Sequence, residues 1–157
     1  MAGPEEGKAA PQFALPAHPR GKVALKDYRG KRHVVLYFYP KDMTSGCTQE
    51  AVSFQAQLEA FAKAGAVVLG ISPDDLASHA KFAEKQGLGF PLLSDVGATV
   101  AAKYGVWKEK SMYGRKFMGI ERTTFVIDKT GKVRKVYPKV KVAGHAEAVL
   151  EFVQGLG

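Results

Sequence analysis

The spacing of apolar and polar positions changes several times along the chain, and each change predicts an element. Val34 to Tyr39 is an unbroken apolar and aromatic run, which predicts a strand buried on both faces. Pro40 stops it, because proline offers no donor to a sheet ladder. Residues 41–46 then form a short polar loop. From Cys47 the period changes: Ala51, Phe54, Leu58 and Phe61 recur at three and four residues, one stripe of an amphipathic helix. Gly65 ends that turn, and residues 66–71 read as a second buried strand. In Ser72-Pro73-Asp74-Asp75 three signals open a helix: Ser72 caps, Pro73 suits the first helical position and Asp75 stands at the capping-box spacing. This helix runs to about Gln86, before Gly87. A short strand at 90–93 follows, then a helix capped by Ser94 and carrying Val96, Val100 and Tyr104. Residues 106–121 read as a loop or short strand. Thr123 to Ile127 and Lys132 to Tyr137 flank Asp128-Lys-Thr-Gly131 as a hairpin, and the last helix covers about 145–154. Near the start, the apolar pieces 13–15 and 23–25, around Pro16, Pro19 and Gly21, predict a small hairpin. Strands alternating with helices give an α/β fold with a mixed central sheet.

Length adds one constraint: 157 residues suit a single domain with a sizeable core. Residues 1–10, rich in Gly, Ala, Pro and charge, are expected to be a flexible N-terminus, and 11–157 the domain. No apolar run approaches the ~18 residues needed to cross a bilayer, so no membrane association is expected. The opening residues have neither the basic nor the apolar region of a secretory leader, and a single cysteine rules out an internal disulfide framework. Cytoplasmic residence is the expectation. The net charge of +8 is concentrated in residues 101–141, where twelve Lys or Arg face three Asp or Glu. Without a recognition motif, this region is expected to be solvated surface and not a specific nucleic-acid site.

Candidate chemistry centres on Cys47, the only cysteine. It follows a polar loop and lies at the start of a helix, where free N–H groups and the helix dipole favour a thiolate, the nucleophilic form. Strand, loop, cysteine and helix in that order are also the arrangement of a thioredoxin-type redox site. Cys47-Thr-Gln-Glu50 lacks the second thiol of Cys-x-x-Cys, so dithiol exchange is excluded. One activated thiol remains, which outside help must restore. The histidines at 18, 33, 79 and 145 show no metal-ligand spacing, and no phosphate loop or Gly-x-Ser-x-Gly elbow occurs.

Residues 37–51, Tyr-Phe-Tyr-Pro-Lys-Asp-Met-Thr-Ser-Gly-Cys-Thr-Gln-Glu-Ala, resemble the active-site signature of the peroxiredoxins. Pro40, Thr44 and Cys47 fit the family's Pro-x-x-x-Thr-x-x-Cys motif. The likeness extends to Tyr104-Gly-Val-Trp107, Met112-Tyr-Gly114 and the stretch from Gly119 to Asp128, and is closest to the bacterioferritin comigratory protein or peroxiredoxin Q subfamily. The resemblance implies a thioredoxin-like fold and a thiol-dependent peroxidase, an antioxidant oxidoreductase acting on hydrogen peroxide or alkyl hydroperoxides. Cys47 would be the peroxidatic thiol, Thr44 and Arg122 hydrogen-bond donors to the peroxide, and Pro40 the shield of the sulfur. Glu50 would support, with Trp107 and Tyr113 at the rim. The departure is Val52, where many members carry a resolving cysteine. A single-cysteine cycle is therefore expected, in a monomer, with recycling by thioredoxin, glutaredoxin or a low-molecular-weight thiol. No metal, flavin or haem is implied. The rival reading is a non-enzymatic redox sensor or binding module, which lacks catalytic turnover with thiol.

Overall fold

The computed structural model describes residues 3–156. At its centre is the run expected to be buried: strand β3, His33–Phe38, buried at every position. It pairs in parallel with β4, Ala66–Ser72, which pairs in parallel with β5, Leu92–Ser94. On its other side β3 runs antiparallel to β8, Thr123–Ile127, and β8 to β9, Val133–Tyr137. The N-terminal hairpin, β1 Ala14–His18 and β2 Gly21–Ala24, joins the sheet through β5, giving the order β2-β1-β5-β4-β3-β8-β9. Alternation along β3 divides the core. Val34, Leu36 and Phe38 pack with Phe125, Tyr104 and Val100 on one face. Val35, Tyr37 and Tyr39 pack with Cys47, Phe54, Phe61 and Phe82 on the other.

The helices are α1 Ser45–Ala56, α2 Leu58–Lys63, α3 Leu76–Gln86, α4 Thr99–Lys103 and α5 His145–Gln154. The stripe from Ala51 to Phe61 is thus shared by two helices, broken at Gln57. Both predicted serine caps give way to aspartates. Ser72 belongs to β4, its backbone paired with Ser94, and α3 begins only after Asp75, whose carboxylate accepts from the Ser78 amide at 2.9 Å. Asp95 likewise accepts from the Val100 and Ala101 amides, while Ser94 stays in β5 and its hydroxyl donates to the Asp74 carbonyl. Sheet pairing outcompetes capping at both serines, and a carboxylate is the stronger acceptor for helix amides. Val96 lies ahead of α4 and is exposed.

Residues 106–121 are a hairpin and not a loop: β6 Trp107–Met112 pairs with β7 Arg115–Ile120 as a separate two-stranded ribbon. Tyr113 and Gly114 make its turn, both at positive φ, as a tight hairpin turn requires. In the stretch read as a flexible end, Met1 and Ala2 lie outside the described residues. The Gly7 amide donates to the Val133 carbonyl at 2.7 Å, Val133 returns a bond to Lys8 at 2.8 Å, and Ala10 donates to Gly131. Residues 7–10 therefore lie along the free side of β9, whose edge they cover. Among the described residues, no helix is long and apolar enough to cross a membrane.

Candidate active site

Cys47 is placed by two elements. β3 runs to Phe38, its continuation Tyr39 donates its amide to the Ile71 carbonyl, and the 40–44 loop turns the chain into α1, with Thr44 as N-cap. The Thr48 amide donates to the Thr44 carbonyl at 2.8 Å, closing the first turn around Cys47. The thiol is 1% exposed and packs in the layer with Tyr37, Ala51 and Phe54. Cys47 lies in the first turn of α1, where free amides and the helix dipole favour negative charge.

The decisive contact comes from 75 residues further along. Arg122 immediately precedes β8, which pairs with β3 so that Phe38 lies opposite Thr123. This registers the guanidinium over the start of α1. Its Nη2 is 3.3 Å from Cys47 Sγ, and its Nη1 donates to Glu50 Oε1 at 2.7 Å. Burial opposes the charge on Arg122, but Glu50 and Cys47 outweigh it and hold the guanidinium protonated. Gly46 allows this approach: a Cβ there would stand 3.2 Å from Nη2. Glu50 is fully buried, and burial pushes its carboxyl up to about 7 even though Arg122 pulls the other way. Its second oxygen, like the Tyr37 hydroxyl, is buried without a hydrogen-bond partner. Burial, with Glu50 and Cys47 nearby, drives the Tyr37 phenol well above its ordinary value, so it stays neutral.

The remaining expected residues divide. Thr44 stands at the helix start, its hydroxyl donating to the Lys41 carbonyl at 2.8 Å, and Pro40 is half-buried at the head of the loop. Trp107 leans against the core from the base of the β6–β7 ribbon. Tyr113 is 99% exposed at the ribbon's tip. Lys110 was not legible from the sequence. Its pKa is lowered by burial and by Arg122, and pulled back by Glu121 and Cys47, so this ammonium shares the electrostatic field of the thiol. No alternation along the ribbon marks it, because most of its residues are exposed. Nor did spacing link Asp42 to His79, whose ring nitrogen Nδ1 lies 2.7 Å from an Asp42 oxygen beneath the loop.

A nearly buried sulfur held beside a guanidinium, at a helix start, is equipped to attack an electrophile and to stabilise the charge that leaves. Comparison with known proteins identifies the family. The AhpC/TSA family model matches residues 7–136. The putative peroxiredoxin bcp of Coxiella burnetii is 49% identical over 146 residues, covering 93% of this chain and 96% of that protein. Peroxiredoxin Bcp of Bacillus subtilis is 46% identical over 152 residues, covering 97% and 96%. Among solved structures, Xylella fastidiosa PrxQ superposes with a TM-score of 0.92 at 38% identity, covering 99% of this chain and 98% of that one. The Xanthomonas campestris bacterioferritin comigratory protein, described for its alkyl peroxide reduction activity, superposes with a TM-score of 0.86 at 43% identity, over 91% and 90%.

Proposed function

From the premise that this chain belongs to the AhpC/TSA family and is a thiol-dependent peroxidase of the Bcp or peroxiredoxin Q type, we propose a single-cysteine cycle on Cys47. The thiolate attacks the terminal oxygen of hydrogen peroxide or an alkyl hydroperoxide. An S–O bond forms from a sulfur electron pair as the O–O bond breaks, and hydroxide or alkoxide leaves and takes a proton. Cys47 becomes a sulfenic acid, oxidised by two electrons. Arg122 donates to the sulfur and to the peroxide oxygens as charge moves across them, and Glu50 holds its fork in the required plane. Thr44 offers its hydroxyl to the peroxide after releasing the Lys41 carbonyl, and Pro40 keeps bulk water from the sulfur. Trp107 and Tyr113 belong to the ribbon beside the site, as rim residues.

Recycling consumes two equivalents of an external thiol. The first condenses with the sulfenic acid to a mixed disulfide and water, and the second releases the Cys47 thiol and a disulfide. Thioredoxin, glutaredoxin or a low-molecular-weight thiol would serve, with the chain acting as a monomer. A cytoplasmic setting fits this need, because reduced thiols are maintained there. The observation that carries the assignment is the Arg122 guanidinium spanning Cys47 Sγ and Glu50 Oε1. Steady-state peroxide consumption with a panel of thiols tests it. The wild type is expected to turn over repeatedly, and Cys47→Ser to fold and lose all activity, because a serine hydroxyl is far too weak an acid. Substantial turnover in Cys47→Ser, or a single stoichiometric oxidation of the wild type with every thiol, counts against the cycle; the latter would favour a redox sensor.

A further inference from the structure

Beneath the loop that leads to Cys47 lies a buried polar cluster that the cycle above does not use. Asp42 is buried and His79 has no exposed surface. The Tyr39 hydroxyl donates to Asp42 Oδ1 at 2.6 Å and the Ser78 hydroxyl to Oδ2 at 2.8 Å, while His79 Nδ1 lies 2.7 Å from the same Oδ2. The other ring nitrogen, Nε2, is 3.0 Å from the Leu93 carbonyl. A carbonyl can only accept, so Nε2 carries a proton. Burial opposes ionisation of Asp42, but hydrogen bonds from His79 and Tyr39 hold its carboxyl below the usual range. Nδ1 and Asp42 Oδ2 share one proton across their 2.7 Å contact. His79 and Asp42 form a buried hydrogen-bonded pair enclosed between the loop and α3.

Asp42, Asp74 and His79 also place three ligand atoms within 4.8 Å of one another. Both Asp42 oxygens and Asp74 Oδ2 are already engaged. Asp42 accepts from Tyr39, Ser78 and His79, and Asp74 Oδ2 accepts from the Asp42 amide at 2.8 Å and the Ser72 hydroxyl at 2.6 Å. A cation would have to displace these donors, and the cluster is a hydrogen-bonded clamp.

What the clamp grips is the link to the thiol. Side chain and amide of Asp42 are both fixed to the β4–α3 junction. The next residue, Met43, has φ +65°, a conformation disfavoured for any residue with a Cβ and kept only where its surroundings impose it. Thr44 follows directly as the N-cap of α1. We propose that Asp42 and His79 are positioning residues for the peroxide step, locking the 40–44 loop onto β4 and α3 and so fixing Thr44 and the direction from which Cys47 meets peroxide and Arg122. This role rests on the peroxidase reading.

Two measurements test it. In the reduced protein, nitrogen-15 NMR of the His79 ring is expected to show a proton on Nε2 and a hydrogen bond at Nδ1; an unprotonated Nε2, or an Nδ1 without a hydrogen bond, overturns the pair. Asp42→Asn keeps the side chain's shape and removes its charge. By stopped flow its second-order rate with hydrogen peroxide is expected to fall about tenfold or more, since misplacement by ~1 Å can cost about a hundredfold. Reduction of its preformed sulfenic acid by dithiothreitol should stay within about twofold of wild type, because that step does not use the peroxide geometry. If Asp42→Asn does not fold, Ser78→Ala, which removes one donor to the carboxylate, is expected to show the same selective loss on a smaller scale. Equal loss in both steps, or none in the first, overturns the proposal. A wild type that consumes no peroxide with any thiol would sink the peroxidase reading itself, a different result from a wild type that works and a variant that does not slow.

Discussion

At the scale of single residues, the site depends on the shape of one side chain. Arg122 makes two directed contacts at once, to Sγ at 3.3 Å and to Glu50 Oε1 at 2.7 Å. A lysine could keep the positive charge but cannot span both with fixed geometry. Arg122→Lys is therefore expected to slow the reaction with peroxide by about a hundredfold, the order observed when one preorganised donor to a developing oxyanion is lost. Stopped-flow peroxide oxidation of the reduced variant measures it, and an unchanged rate would mean that Arg122 is not the donor. Cys47 stood out in the sequence by its place at a helix start, and Arg122 through the family resemblance. Asp42 and His79 did not: 37 residues separate them, and neither spacing nor charge linked them.

At the scale of elements, α1 fixes what a second thiol could do. Cys47 and Val52 lie on one continuous helix, the first buried and the second 44% exposed. Five helical residues span ~7.5 Å along the axis, and a disulfide tolerates Cα atoms only up to about 7 Å apart. Val52→Cys should thus form an internal disulfide on peroxide treatment only by unwinding the first turn of α1. Far-ultraviolet circular dichroism is expected to lose helical signal in step with the disulfide seen by mass spectrometry. A disulfide formed with no loss of helix would refute this. The wild type, with Val52, has no such route, and its sulfenic acid should persist until an external thiol arrives. The β6–β7 ribbon marks where pattern reading stopped. Most of its residues are half or fully exposed, so no buried face imposed an alternation on the sequence. Its turn uses Tyr113 before Gly114 in place of the usual asparagine or aspartate.

At the scale of the whole molecule, two buried groups tie stability to pH with opposite sign. Glu50 is raised from 4.5 to about 7 by burial, so its contribution to stability is complete below about 4.5 and is lost as pH rises through about 7. His145, whose Nε2 meets the Thr124 hydroxyl at 2.8 Å, is lowered from 6.5 to about 4, by burial first and then by Arg122. Its contribution is complete above about 6.5 and is lost as pH falls towards about 4. The two trends oppose each other between these limits. Glu50→Gln is expected to gain stability relative to wild type at pH above about 7, while losing peroxidase rate through the weakened hold on Arg122. His145→Gln is expected to gain at pH near about 4. Urea denaturation of the three proteins across this range should give the flattest pH profile for the wild type. Parallel profiles for all three would show that neither group is coupled to folding.

The chain's own order of residues determined the β3–loop–α1 unit, the mixed sheet and the candidate nucleophile. Each depends on local pattern: an unbroken apolar run, a proline stop, a three-and-four repeat, and one cysteine at the change of period. The family signature carried Arg122 with it, as an arginine at a strand end with no visible partner. Only the tertiary structure decided that partner, because it follows from β8 pairing antiparallel with β3 at a register that sets Thr123 opposite Phe38. It also decided that Asp75 and Asp95, not the neighbouring serines, meet the free amides of α3 and α4, because the serines are used in sheet pairing. The same holds for the strip of residues 7–10 on β9, the ribbon that brings Lys110 into the field of Cys47, and the Asp42–His79 pair under the loop. These are contacts between residues distant in sequence, enforced by packing and desolvation, and no periodicity along the chain records them.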